Sequence, residues 1–257
     1  MVNYLLKKSY QRKTLKEIKF NDLWNKNGVF TTMWLYSRPP KILFFKSHIQ
    51  NLIKSLKAYK ISEDNIKNII LNLIKKNVNK KISYNHLLRI ALNKKIISVS
   101  IRERVIPKSK FSLKLVNYER VKPEYKNLKY KKILEFLSKM NTSKQDIALC
   151  VNNKILETGT SNLLFVYKKK IYSPKSNYYK GTNIKFYEKK FHIFKKDIYL
   201  KDIKQFEEII LVGSGKGVVS VNFIEGYNWK RKSKETFNKI FKTFKSEFSK
   251  KIYIYNK

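Results

Sequence analysis

Residues 207–221 read EEIILVGSGKGVVSV. The apolar, β-branched run Ile209–Val212 opens directly into Gly213-Ser214-Gly215-Lys216-Gly217, and a second β-rich run follows. A strand feeding a glycine-rich turn is a candidate phosphate cradle, because backbone N–H groups in such a turn can converge on an anion. Spacing excludes two familiar versions. The Walker A pattern needs G-x-x-x-x-G-K-(S/T). Here Gly217 stands where the magnesium-holding hydroxyl belongs, and position 210 is Ile. The dinucleotide pattern G-x-G-x-x-G also fails, since Gly213, Gly215 and Gly217 fall one residue short. A nucleotide site is not indicated. An anion nest and a ligand-free turn both remain open on this stretch alone.

The chain of 257 residues is long enough for two domains or one large one, and its 42% hydrophobic and 14% aromatic content is enough for a packed core. The formal charge of +40 is spread along the chain without a like-charged tail. Such a surface could attract nucleic acid or acidic substrates. The plainer reading, solvated lysines from an AT-rich coding sequence, is favoured, because no aromatic-basic RNA-binding motif interrupts the pattern. The one cysteine, Cys150, excludes an intramolecular disulfide and lies in an apolar run, as a buried structural thiol would. His48, His86 and His192 lie far apart, so no metal site is expected. No stretch reaches membrane-span length, and the N-terminus carries no signal-type apolar region. A soluble cytoplasmic protein without membrane partners is the expectation.

Periodicity predicts α/β architecture. GVFTTMWLY (28–36) and KILFF (41–45) read as strands. Helices are predicted over His48–Tyr59 and after Ser62, whose side chain can cap the second. YNHLLRIAL and KIISVSIRER read as a hairpin around Asn93-Lys94. The polar, proline-containing stretch Val105–Pro123 follows. This organisation predicts a small N-terminal α/β domain over 1–110, an interdomain connection over 111–124, and a larger C-terminal domain over 125–257. In the latter, residues 130–139 and 182–190 read as helices. DIALCV, NLLFVYK, KIYSP and EIILVG read as strands, and Ser233–Lys251 as a basic amphipathic helix packing through Phe237, Ile240, Phe241 and Phe244.

The glycine turn keeps informative company. ILETGTSNLLFVYKKKIYSP (155–174) and YKGTNIKF (179–186) precede it, and GVFTTM and HIQNLIKSL stand upstream. In order and spacing these stretches resemble fold type IV (class IV) pyridoxal-phosphate enzymes. That family includes branched-chain and D-amino-acid aminotransferases and 4-amino-4-deoxychorismate lyase. Its stations read H-x-x-R-L-x-x-S, then E-x-x-x-x-N-(L/I)-F, T-P, G-I-x-R and G-T-A-x-x-V-x-P-V. The resemblance covers about residues 28–226. It implies a two-domain fold with a barrel-like C-terminal α/β domain, pyridoxal 5'-phosphate as cofactor, and a homodimer.

Pyridoxal phosphate needs a lysine for its aldehyde. PEYKNLKYKKIL matches the family's K-x-L-N-(Y/R) context and makes Lys126 the catalytic lysine, 31 residues before Glu157. A neutral amine there could move protons at the substrate carbon. The resemblance makes Glu157 the carboxylate on the cofactor's ring nitrogen. Cofactor contacts are implied for Asn162, for the turn Gly181-Thr182-Asn183, for Gly213 and Ser214 around the phosphate, and for Tyr130 near the phenolic oxygen. VFTTM resembles the lyase members, making Thr31 and Thr32 the substrate-side residues. Two family arginines are replaced: Asn51 stands in the H-x-x-R-L helix, with Lys54 as a possible stand-in, and Ile184 stands in the G-I-x-R turn. The resulting expectation is a lyase that acts on a small anionic amino substrate, 4-amino-4-deoxychorismate, and releases 4-aminobenzoate and pyruvate. The alternatives are an amino-acid aminotransferase of the branched-chain or D-amino-acid type, and a basic nucleic-acid-binding relative without catalysis.

Overall fold

The computed structural model describes residues 3–249, which form two compact units. The first unit takes in residues up to Arg104 together with Tyr125–Lys131; the second takes in Val105–Glu124 and Lys132–Ser249. Residues 125–131, which the sequence analysis places in the C-terminal domain, cluster with the first unit.

In the first unit, β1 (Tyr4–Gln11), β2 (Glu17–Ile18), β3 (Val29–Ser37), β4 (Lys41–Ile42), β5 (Tyr84–Leu92) and β6 (Ile96–Glu103) form one sheet ordered β2-β1-β6-β5-β3-β4. Helices α1 (Phe45–Ala58) and α2 (Ile66–Asn77) bring Ile49, Leu52 and Leu56, and Ile66, Ile70, Leu73 and Ile74, into one core with Val29, Met33, Leu88, Ile90, Val99 and Ile101. Alternation along the strands then sends Phe30, Thr32 and Trp34 to the opposite face. The β5–β6 hairpin forms at the predicted turn, where Asn93 Oδ1 accepts the amides of Lys95 and Ile96.

Two local expectations are corrected. KILFF is a strand only over Lys41–Ile42, because Phe44 adopts a left-handed conformation (φ 55°) and α1 starts at the next residue. Ser62 does not cap α2. Asn65, also left-handed, separates it from the helix, and the Ser62 hydroxyl instead bonds Asp64.

In the second unit, β7 (Ser112–Asn117) lies inside the stretch read as a connection. It runs parallel to β8 (Gln145–Val151) and to β16 (Phe223–Ile224). With β9 (Lys154–Thr158) and β13 (Ile198–Tyr199) they make one five-stranded sheet. The other contains β10 (Asn162–Tyr167), β11 (Lys170–Ser173), β12 (Ile193–Lys195), β14 (Glu208–Gly213) and β15 (Gly217–Ser220). Helices α3 (Lys131–Ser138), α4 (Thr182–Glu188) and α5 (Glu235–Phe248) and a 3-10 helix (Leu200–Gln205) complete the elements. The α5 helix packs on β14 and β15 with Ile240 and Phe244 buried, as its apolar stripe predicts; positions 250–251 of the predicted helix lie outside the described residues. Cys150 is buried, and burial pushes its thiol up to about 12, so it is chemically inert. No helix among the described residues is long and apolar enough to cross a membrane.

Candidate active site

The residues singled out from the sequence fall into two groups, one in each unit. In the first unit, residues 125–128 lie along the start of β3. The Phe30 amide donates to the Lys126 carbonyl (3.0 Å), the Leu128 amide to the Gly28 carbonyl (2.9 Å), and Val29 bridges Asn127. This pairing holds Lys126 half-buried, with Nζ 5.0 Å from the centre of the Phe30 ring. The Lys126 amide points at Ser55 Oγ (3.4 Å), on the face of α1 that also buries His48 and Asn51. Lys54 is exposed, so the buried polar groups on this part of α1 are neutral.

Thr31 and Thr32 lie on opposite faces of the sheet. Thr31 is buried on the helix side, with Oγ1 2.9 Å from His48 Nδ1. Burial first, and the charge of Lys126 second, lower the His48 imidazole to about 3. Neutral His48 therefore contributes stability that is fully present above its unfolded value near 6.5. That contribution is lost as pH falls towards 3, because the unfolded chain takes the proton first. Stability should fall with a slope approaching about 1.4 kcal/mol per pH unit in that window. Denaturant titrations of His48→Asn should show a visibly flatter profile; an unchanged slope would mean that His48 titrates normally.

Thr32 sits on the other face, in register with Arg89 of β5, Ser100 of β6 and Lys7 of β1. The Arg89 guanidinium stacks on Trp24 (3.7 Å) and donates to the Asp22 carbonyl (2.8 Å), while its Nε is buried without a hydrogen-bond partner. Trp24, Phe30 and Tyr130 pack as a cluster around it: Trp24 stacks on Tyr130 at 5.8 Å and meets Phe30 edge-on at 5.0 Å. Arg102 is the next cation on this face, and burial lowers both guanidinium groups from their ordinary value. Neither arginine is in an ion pair among the described residues. This arginine face has no counterpart in the sequence reading, since its members come from three strands and resemble every other basic residue.

In the second unit, Glu157 is buried in β9. Its Oε1 accepts from Arg120 Nε (2.7 Å) and Nη2 (2.6 Å), and its Oε2 accepts the Tyr179 amide (3.3 Å). Arg120 also donates to the Pro123 carbonyl. The sequence reading missed Arg120, which sits in the stretch taken for a connection.

The two glycine turns come together. Gly213-Gly217 is a hairpin turn between antiparallel strands β14 and β15. Ser214 Oγ reaches Asn183 Oδ1 (3.3 Å), joining it to the Gly181-Thr182-Asn183 turn. Asn162 holds that second turn from below, donating to the Tyr179 carbonyl (2.6 Å) and accepting the Gly181 amide (3.1 Å). Gly213 has no room for a side chain: a Cβ there would come within 2.5 Å of Ser161 Oγ. That Ser161 Oγ and Asn183 Nδ2 are buried with no partner among the described residues. Buried polar groups are normally hydrogen bonded. Two unsatisfied donors beside the Ser214 hydroxyl therefore fit a small anion such as a phosphate group. Ser161 was legible only as part of the E-x-x-x-x-N station.

A model of the family Amino-transferase class IV matches residues 28–224. Comparison with curated proteins finds no significant match. Among solved structures, a branched-chain aminotransferase from Thermoproteus uzoniensis with norvaline is 13% identical, with a TM-score of 0.75 over 93% of each chain. The Escherichia coli branched-chain aminotransferase is 13% identical, with a TM-score of 0.73 over 96% of this chain and 94% of that one. A hypothetical aminotransferase from Mycobacterium tuberculosis, bound to α-ketoglutarate and PMP, is 13% identical, with a TM-score of 0.74 over 93% of this chain and 98% of that one. At these identities the structures establish a common fold, and with the family model covering the motifs on both groups of residues, the chain belongs to the class IV aminotransferase family.

Proposed function

We propose that this protein is a pyridoxal-phosphate-dependent lyase acting on an amine with two carboxylates, 4-amino-4-deoxychorismate, to give 4-aminobenzoate and pyruvate. The observation that carries the substrate class is the sheet face around Thr32. It presents Lys7, Arg89 and Arg102; Asp22 attracts Arg89, but among the described residues neither arginine is in an ion pair. Desolvated guanidinium groups of this kind suit carboxylates, which they bind by charge-assisted hydrogen bonds.

Pyridoxal phosphate, when bound, supplies an aldehyde for the substrate amine and a ring that accepts electrons from the amine-bearing carbon. In this reading Lys126 supplies the amine that takes the proton from that carbon. Neutral His48 and the apolar Phe30 ring beside Lys126 add no competing acid. Ser161, Asn183 and Ser214 would hold the phosphate, which would supply the acceptors that the orphaned donors lack. Glu157, held by Arg120, would be the carboxylate for the ring nitrogen. Thr32 and Arg89 would orient the substrate, whose carbon–oxygen bond would break to release the enolpyruvyl group as pyruvate. A cytoplasmic homodimer is the setting that this reading implies.

The second reading, an amino-acid aminotransferase, is supported by the solved relatives named above. The two differ in what turnover requires. With 4-amino-4-deoxychorismate, 4-aminobenzoate and pyruvate should form in equal amounts without any 2-oxo acid. If product appears only when an acceptor is added, with a branched-chain or D-amino acid as donor, the lyase reading is wrong.

A further inference from the structure

Asp146, at the start of β8, is fully buried and has no part in the chemistry above. Its side-chain hydrogen bonds to Thr158 and Thr160 lead to the turn that carries the orphaned Ser161 hydroxyl. Oδ2 accepts from Thr160 Oγ1 (2.5 Å) and lies 3.1 Å from Thr158 Oγ1; Oδ1 accepts the Ile147 amide (2.9 Å). Thr158 Oγ1 in turn accepts the amides of Thr160 (3.2 Å) and Ser161 (2.8 Å), and the Thr158 amide donates to the Ser161 carbonyl (2.9 Å). The whole 158–161 turn is thereby pinned to one carboxylate. Gly159 allows it to lie flat: its amide donates to the Ile147 carbonyl, and a Cβ there would come within 2.8 Å of the Ile147 side chain.

The facing Gly213–Gly217 turn is anchored through its own lysine. Lys216, from the Gly213–Gly217 hairpin, is buried, donates to the Thr142 carbonyl (2.8 Å), lies over the Phe111 ring (5.2 Å) and is attracted electrostatically to Asp146. Burial pushes the Asp146 carboxyl up, and the Lys216 charge and the two hydroxyls oppose that shift. Between the two anchored turns, Ser161 Oγ abuts Gly213 with no partner of its own.

We propose that Asp146 is a positioning residue for phosphate binding: through Thr158 and Thr160 it aims the Ser161 hydroxyl beside Gly213. The inference rests on the reading of these turns as the phosphate cradle. It predicts that Asp146 controls the part of cofactor affinity that the phosphate contributes, not binding of the ring.

The test is equilibrium titration of the full-length apo-protein with pyridoxal 5'-phosphate and, separately, with pyridoxal, which lacks the phosphate. The phosphorus NMR shift of the bound cofactor is a second readout. Wild type should prefer the phosphorylated form. Asp146→Asn should reduce pyridoxal-phosphate affinity about tenfold, the worth of one hydrogen bond to a charged group, and leave pyridoxal affinity unchanged. The phosphorus signal should move towards its free position. Thr160→Val removes one anchor without altering β8 and should shift both readouts in the same direction by less, which keeps the test decisive if Asp146→Asn fails to fold. A wild-type preference that survives in these variants, or a parallel fall in both affinities, overturns the inference and leaves the cradle reading standing. A wild-type protein that binds both compounds alike overturns the cradle reading and this inference with it.

Discussion

Lys126→Ala should abolish both cofactor attachment and turnover. The protein with pyridoxal phosphate should absorb in the near-visible, and borohydride should leave a stable phosphopyridoxyl group that peptide mass analysis finds on Lys126. In Lys126→Ala the band and the label should disappear, and the rate should fall by about 10²–10⁴-fold or more, the usual contribution of a positioned proton-transfer group. Lys131→Ala is the control. Lys131 opens α3, is exposed, and should keep band, label and rate. The contrast rests on Lys126 being held along β3 by the Phe30 amide and set 5.0 Å from the Phe30 ring. Label on another lysine, with Lys126→Ala still active, would show that the motif has been aligned onto the wrong residue. A protein that stays colourless and unlabelled with added cofactor would support the basic, non-catalytic relative instead.

Arg120→Leu should be among the most destabilising substitutions in the chain. Both side chains of the Arg120–Glu157 pair are almost fully buried, 4% and 7% exposed, and Arg120 bonds Glu157 Oε1 through both Nε and Nη2. Removing one member of a buried pair leaves an uncompensated charge and costs about 3–5 kcal/mol. Glu157→Leu should cost a similar amount. The double variant should be more stable than the sum of the two losses implies, because neither charge is then left alone. Urea denaturation of the four proteins measures this. A loss below about 1 kcal/mol for Arg120→Leu would match a solvated surface pair and contradict the burial described. Glu157→Gln separates fold from chemistry. It keeps shape and one acceptor, so its effect on turnover should exceed its effect on stability.

The order of family stations was legible because each rides on a local signal. Ile209–Val212 is a β-branched strand running into a glycine turn, and the structure makes it β14 followed by a hairpin. Asn93 announced the β5–β6 turn through a side chain that bonds its own backbone two and three residues on. The apolar stripe of α5 announced its docking. β7 was not legible. SLKLVN carries no clean alternation and becomes a strand through parallel pairing with β8 and β16, partners distant in sequence. Likewise nothing local to KILFF says that Phe44 turns left-handed and converts the strand into the approach to α1.

The amino-acid sequence by itself determined the family and the order of its motifs, since these depend on residue types at fixed spacing, and the same spacing proposes Lys126 among so many cations. Tertiary structure alone decided what each group touches. It put Thr31 against His48 and Thr32 beside Arg89 by the two-residue alternation of one strand. It paired Glu157 with Arg120 across 37 residues, and it left Ser161 and Asn183 buried with donors unmet. The physical reason is that burial and charge pairing are set by which distant segments pack together, and in a chain of 58 lysines and arginines composition cannot distinguish a guanidinium in solvent from one stacked on Trp24.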